Sequence, residues 1–112
     1  MIKPIGLTCG EPSSIAPEIT VKAWKTLKSE LNFVLFSSFE YMKKRFPEIP
    51  MQKVFNCSEA LDVMVNALPI IDMPFTEEPK VGKMNQKLAF DTIKSIKMAT
   101  ECCMNGEAAA LC

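Results

Sequence analysis

Gly10, Glu11, Pro12, Ser13 and Ser14 stand together where an apolar run, Ile2 to Cys9, gives way to a helix-like stretch. Those residue types offer three pieces of chemistry. Gly10 permits a sharp turn and close backbone approach to a bound molecule. Ser13 and Ser14 supply hydroxyls, and Glu11 supplies a carboxylate. The helix that follows presents free N–H groups at its start, which attract anions. The spacing is neither Gly-x-Gly-x-x-Gly nor a Walker loop, so no general nucleotide fingerprint is met. Chemistry alone leaves two readings open: a turn that faces a ligand, or a capped connector that only joins strand to helix.

Other reactive types are scarce. The chain has no histidine, which excludes Ser-His and Cys-His nucleophilic machinery within it. A general base would have to be a carboxylate, a lysine or a tyrosine. The five cysteines, Cys9, Cys57, Cys102, Cys103 and Cys112, form no Cys-x-x-Cys pair and no disulfide framework. No zinc site with paired ligand spacing can be drawn, and no metal ligands are assigned. The adjacent Cys102 and Cys103 fall on a predicted helix, where neighbouring side chains diverge by about 100°. The cysteines read as reduced, mostly buried small apolar residues.

The elements that must position the turn follow from periodicity. Ile2 to Cys9 reads as a strand and Gly10 to Ile15 as the turn. Pro17 suits the first helical position and Glu18 favours the positive end of the helix dipole. Ile19, Ala23 and Leu27, with Trp24 beside them, recur at helical spacing, and that helix should end near Glu30. Asn32 to Ser37 is a continuous apolar run, as expected of a strand buried on both faces of a parallel sheet. A short helix over 39–46 is stopped by Pro47 and Pro50. Residues 51–55 suit a third strand. Asn56 and Glu59 have the spacing of a capping box ahead of a short helix or turn. Residues 68–73 suit another strand, and 74–83, rich in Pro and charge, a loop. A long helix spans about Asn85 to Asn105, with Ala89, Ile93, Ile96 and Cys103 near one face and Lys87, Lys94 and Lys97 toward solvent. Gly106 is its stop, and an apolar strand begins at 108–112.

Strands alternating with helices imply a parallel sheet. The 112 residues are enough for one small α/β domain with a core, and the layout reads as a single incomplete domain, the first part of a longer fold. Hydrophobic residues at 48% mark a globular chain. A net charge of zero argues against nucleic-acid binding, which needs a basic surface. No apolar run approaches the ~20 residues of a membrane span. The start lacks the pattern of a signal peptide, so the cytoplasm is the expected compartment.

The stretch from Pro4 to Trp24, "PIGLTCGEPSSIAPEITVKAW", resembles the N-terminal signature of the 4-hydroxythreonine-4-phosphate dehydrogenase family of vitamin B6 biosynthesis. Members have an apolar strand, then Gly-Asp/Glu-Pro-Ala-Gly-Ile-Gly-Pro-Glu, then a helix. Gly10, Glu11, Pro12, Ile15, Pro17 and Glu18 match that pattern. Residues 105–112, "NGEAAALC", are similar to the family's later helix stop and small-residue strand. Ser14 and Ala16 stand where the family has glycines.

The resemblance implies the first part of the isocitrate/isopropylmalate dehydrogenase-like fold, over about a third of a family member. It implies an activity that oxidises 4-phosphooxy-threonine with NAD and a divalent metal, followed by decarboxylation, in a homodimer whose metal ligands are histidines from both subunits. Those histidines, the substrate-binding His-Thr pair and the phosphate-binding Lys and Arg would all lie beyond Cys112. The chain alone is therefore expected to be inactive, with Gly10, Glu11, Ser13 and Ser14 as the candidates to border a substrate cleft. A non-catalytic interaction module and an unrelated small α/β ligand-binding domain are the competing expectations.

Overall fold

The computed structural model describes residues 3–112, so the expected strand start at Ile2 lies outside the described residues. Five parallel strands, β1 (Ile5–Thr8), β2 (Phe33–Ser37), β3 (Met51–Lys53), β4 (Leu68–Asp72) and β5 (Ala110–Leu111), form one sheet in the order β3-β4-β2-β1-β5. Four helices connect them: α1 (Ala16–Leu27), α2 (Phe39–Arg45), α3 (Ala60–Val63) and α4 (Lys87–Met104). A 3-10 turn, Cys57–Glu59, precedes α3. The alternating α/β reading holds element by element.

β2 is buried along its whole length, and its alternation builds two cores. Phe33 and Leu35 pack with Val21 and Trp24 of α1 and Met42 of α2 on one face. Val34 and Phe36 pack with Cys57, Ala60, Ala99 and Ala108 on the other. Burying a side chain of this size is worth about 1.5–3 kcal/mol. Trp24 is a core residue whose indole N–H donates to the Met64 carbonyl at 2.8 Å, so its one polar atom is satisfied.

Local signals explain several boundaries. Ser38 caps α2 by accepting the Tyr41 N–H. Asn56 accepts the Glu59 N–H, and the Glu59 carboxylate returns to the Phe55 N–H and the Asn56 side chain. The anticipated capping box is thus made, with its return bond shifted by one residue. Gly106 takes φ +78° where the long helix stops. The Glu107 N–H then reaches the Cys102 carbonyl and the Gly106 N–H the Cys103 carbonyl, the paired bonds of a Schellman ending.

The faces of two helices differ from expectation. In α4 the buried residues are Leu88, Asp91, Ser95 and Ala99. Ala89, Ile93 and Ile96, assigned by periodicity to the core face, are exposed, Ile93 at 62%; Cys103 is only half-buried, and Lys87, Lys94 and Lys97 face solvent as expected. The reason is close approach. A Cβ on Gly6 of β1 would meet the Ala99 Cβ at 3.5 Å, so the inner face of α4 must be small there. It must also carry hydroxyls for backbone groups at the strand ends. In α1, Pro17, Thr20, Val21 and Trp24 are buried, Ala23 and Leu27 are half-buried, and Ile19 is exposed. The cysteines also correct the expectation of mostly buried thiols. Cys9 and Cys57 are buried, Cys102 and Cys103 half-buried and Cys112 exposed, all of them free. No described helix is long and apolar enough to cross a membrane.

Candidate functional site

The sheet topology decides where a site can form. From β1 the chain steps to β2 on one side, and from β4 it returns to β5 on the other side of β1. Connections that leave β1's neighbourhood in opposite directions open a crevice at the carboxyl ends of the strands, the usual binding place in a doubly wound sheet. The Gly10–Ser14 turn leaves β1 at that crevice. Cys112, which follows β5, lies beside it: the Thr8 N–H donates to the Cys112 carbonyl at 2.8 Å.

The turn itself is closed by its own side chains. The Glu11 carboxylate accepts the Ser13 N–H at 2.8 Å and the Ser13 hydroxyl at 2.5 Å. The Ser14 hydroxyl donates to the Glu11 carbonyl at 2.7 Å and accepts the Ala16 N–H at 3.1 Å. Ser13 is buried, while Gly10, Glu11 and Ser14 are half-buried. Two of the first amides of α1 are therefore lost to an anion: Ala16's is taken by Ser14, and Pro17 has none. Gly10 takes φ +61°, and no non-glycine among the described residues has a positive φ. Ser14 and Ala16 thus fit without left-handed backbone at the positions where the family has glycines.

Residues that the sequence reading did not single out fix the turn from outside. The Arg45 guanidinium donates to the Pro12 and Ser14 carbonyls at 3.3 and 3.4 Å and pairs with Glu18 at 2.9 Å. The Tyr41 hydroxyl donates to the Pro12 carbonyl. From α4, Thr92 donates to the Gly10 carbonyl at 2.9 Å. Ser95 accepts the Cys9 N–H at 3.0 Å and donates to the Phe36 carbonyl at 2.7 Å, bridging β1 to β2. Buried Asp91 accepts the Thr76 N–H and hydroxyl at 3.1 and 3.0 Å, anchoring the loop after β4, and the Gly82 N–H of that loop donates to the Ser13 carbonyl. The signal for the α4 group is present in the sequence: Leu88, Asp91, Ser95 and Ala99 repeat at helical spacing, but two of the four are polar, and an apolar periodicity passes over them. Cys9 is buried in the same layer, and desolvation raises its thiol pKa.

A cleft of about 280 Å³ opens at the ends of β2 and β4, lined by Ser38, Tyr41, Lys44, Phe75, Thr76 and Glu78 among others; Gly10, Glu11, Ser13 and Ser14 are not among its lining residues. Its polar and apolar walls suit a small polar molecule. Across the sheet, Cys57, Cys102 and Glu107 bring their donor atoms within 4.8 Å of one another, although no local spacing announces them. Burial, followed by the neighbouring Cys102, pushes the Cys57 thiol up to about 12.

No family model matches the chain. Curated relatives do. The chain is 37% identical to 4-hydroxythreonine-4-phosphate dehydrogenase of Ruegeria sp. (strain TM1040), over 96% of this chain and 32% of that protein. It is 31% identical to the protein of the same name from Zymomonas mobilis subsp. mobilis, over 98% of this chain and 33% of the relative. The chain thus spans about a third of the length of the curated relatives it matches. The crystal structure of 4-hydroxythreonine-4-phosphate dehydrogenase from Klebsiella pneumoniae superposes with a TM-score of 0.82 at 21% identity, covering 98% of this chain and 36% of that one. The fold is therefore the first part of the isocitrate/isopropylmalate dehydrogenase-like fold. Sequence and fold agree that the chain belongs with the 4-hydroxythreonine-4-phosphate dehydrogenase family, as the counterpart of the N-terminal third of its members.

Proposed function

We propose that the chain supplies one wall of a 4-hydroxythreonine-4-phosphate dehydrogenase site, with Gly10, Glu11, Ser13 and Ser14 bordering the substrate cleft, and that it is inactive alone. The observation that carries this reading is the placement of the turn. It leaves β1 at the crevice between β1 and β5 and is held there by Arg45, Tyr41, Thr92 and Ser95. A surface this firmly fixed can border a substrate without reorganising when substrate binds.

The full activity needs groups that these residues do not fit. A divalent cation would polarise the substrate hydroxyl and then its carbonyl, and NAD would take the hydride. The family's metal is held by histidines, and this chain has none. The one group of three close metal donors among the described residues is two thiols and a carboxylate, a different donor set. The first α1 amides, the chain's candidate anion site, are partly spent on Ser14 or absent at Pro17. The chain's own contribution is positional. It shapes the cleft wall and holds the Glu11 carboxylate and the Ser13 and Ser14 hydroxyls in fixed orientations.

Two measurements test this. The purified chain, given 4-phosphooxy-threonine, NAD and magnesium, manganese or zinc, is expected to form no NADH; turnover would overturn the claim of inactivity. A chimera carrying residues 1–112 in place of the matching third of the Ruegeria relative is expected to oxidise the substrate. A folded, soluble chimera with no activity would reject the role of the turn as a competent cleft wall.

A second reading, a non-catalytic interaction module, is favoured by one observation: Phe90, Ile93 and Ile96 stand exposed together on the outer side of α4. It expects a folded chain that self-associates in sedimentation, with Ile93→Lys restoring the monomer. A monomer across micromolar to millimolar concentration would remove that reading.

A further inference from the structure

We propose that Cys57, Cys102 and Glu107 form a binding site for one borderline-soft divalent cation of the zinc and cadmium class, held by two sulfurs and one carboxylate oxygen, with water completing a tetrahedral shell.

Geometry carries the proposal. The three donor atoms already lie within 4.8 Å of one another. Tetrahedral zinc with Zn–S distances of about 2.3 Å sets its sulfurs about 3.8 Å apart. A contraction of about 1 Å therefore closes the site around an ion, within the reach of side-chain rotation.

The elements that present the donors are fixed for independent reasons. Cys57 opens the 3-10 turn whose start is capped by Asn56 and Glu59, and its side chain is fully buried. Cys102 lies in the last turn of α4, half-buried. The Schellman ending folds the next segment back, so that the Glu107 N–H donates to the Cys102 carbonyl at 2.9 Å. The same reversal, which requires the positive φ of Gly106, sets the Glu107 carboxylate beside the Cys102 thiol. One donor thus comes from the core, one from the helix and one from the rim. The exposed Glu107 side leaves a path for an ion and room for water.

The donor set selects the ion. Two sulfurs favour zinc, cadmium and other soft or borderline cations over magnesium or calcium, which take oxygen ligands. Two thiolates and a carboxylate balance a dication to a net charge of minus one, and the open rim leaves that residual charge solvated. Cys103 projects about 100° away from Cys102 around the helix, which leaves it outside the set.

The test uses the reduced, chelator-stripped chain titrated with cadmium chloride, followed by the ultraviolet sulfur-to-cadmium charge-transfer absorbance, and with zinc chloride by calorimetry. One ion per chain is expected. Cys102→Ser should lose measurable binding, and Glu107→Gln should weaken it by at least about tenfold, the cost of losing even an outer-shell partner. Cys112→Ser should bind as the parent does. No saturable binding to the parent, full binding by Cys102→Ser, or loss of binding in Cys112→Ser would each overturn the proposal. Cys57→Ser alters a fully buried position, so Cys102→Ser and Glu107→Gln, both at solvent-reached positions and checked by circular dichroism, keep the test independent of folding.

Discussion

The Gly10–Ser14 turn and the Cys57–Cys102–Glu107 group sit on the same scaffold and use their polar atoms in opposite ways. In the turn, side chains bond within the turn itself: Glu11 to Ser13, Ser14 to the Glu11 carbonyl and the Ala16 N–H. In the cysteine group, three donors converge from separate segments. The first arrangement gives rigidity and orientation. The second keeps coordinating atoms in reserve. A turn rich in polar residues is therefore no surer a ligand site than a sparse cluster, and what separates them is where each polar atom's partner lies.

The largest expected effect comes from the hinge of the turn. Gly10→Ala forces an L side chain into φ +61° and brings its Cβ to 2.8 Å from the Ala16 Cβ. The left-handed backbone costs about 1–2 kcal/mol and the clash adds a comparable amount, so thermal unfolding should report a loss of about 2–4 kcal/mol. Adding Ala16→Gly removes the clash and leaves the backbone strain. The double variant should recover about half the loss; recovery of none would show that the contact between the two positions is not what limits the turn.

Ser95→Ala comes next. It removes the acceptor for the Cys9 N–H and the donor to the Phe36 carbonyl in a fully buried layer. Two buried backbone groups lose a partner, and stability should fall by about 2–3 kcal/mol in denaturant unfolding. Ser95→Thr keeps the hydroxyl and serves as the comparison. A neutral Ser95→Ala would mean that the turn is held without the α4 bridge, and the contrast between the two regions would weaken.

The same residue marks the limit of sequence reading. The strands, the Gly106 stop and the Asn56–Glu59 cap were legible because each depends on neighbours within a few positions, and the parallel arrangement because strands alternate with helices along the chain. The inner face of α4 was not. Periodicity put Ala89, Ile93 and Ile96 inward, yet the fold buries Asp91 and Ser95 there. Which stripe faces the sheet depends on how closely Gly6 lets the helix approach and on which strand-end amides need a partner, and neither is a local property. The cysteine group was hidden for the same reason. Its members share a site only after α4 has packed against the 3-10 turn. Within the opening turn the residues could be named, but that the Glu11 carboxylate turns back onto Ser13 follows from the folded turn and not from residue type.

A pH measurement sharpens the second half of the comparison. The Cys57 thiol rises from 9.0 to about 12 in the folded chain, chiefly through burial. The folded state thus holds its proton where the unfolded chain releases it. The stabilisation is complete below pH 9 and is lost as pH climbs from 9 toward 12, at about 1.4 kcal/mol per unit, or roughly 2 kcal/mol by about pH 10.5. Cys9 and Cys102 shift in the same direction and add to the slope. Cys57→Ala should flatten the fall in stability over that window relative to the parent. An unchanged slope would show that Cys57 is hydrated and that the donor group is not held as tightly as its burial implies.

The smallest expected effect decides whether the turn has a second use. Glu11→Ala leaves the Ser13 N–H and hydroxyl without their acceptor and should cost about 1 kcal/mol. Glu11→Gln retains an oxygen that accepts both bonds and should change stability by less than about 0.5 kcal/mol. If Glu11 only closes the turn, the chimera with the Ruegeria remainder should tolerate Glu11→Gln with kcat and KM unchanged. If its carboxylate also meets the substrate, the same variant should lose turnover while its unfolding midpoint stays put. Stability and turnover then move apart at one atom, and the division between a self-satisfied turn and a ligand-ready cluster fails at the residue where it was drawn most sharply.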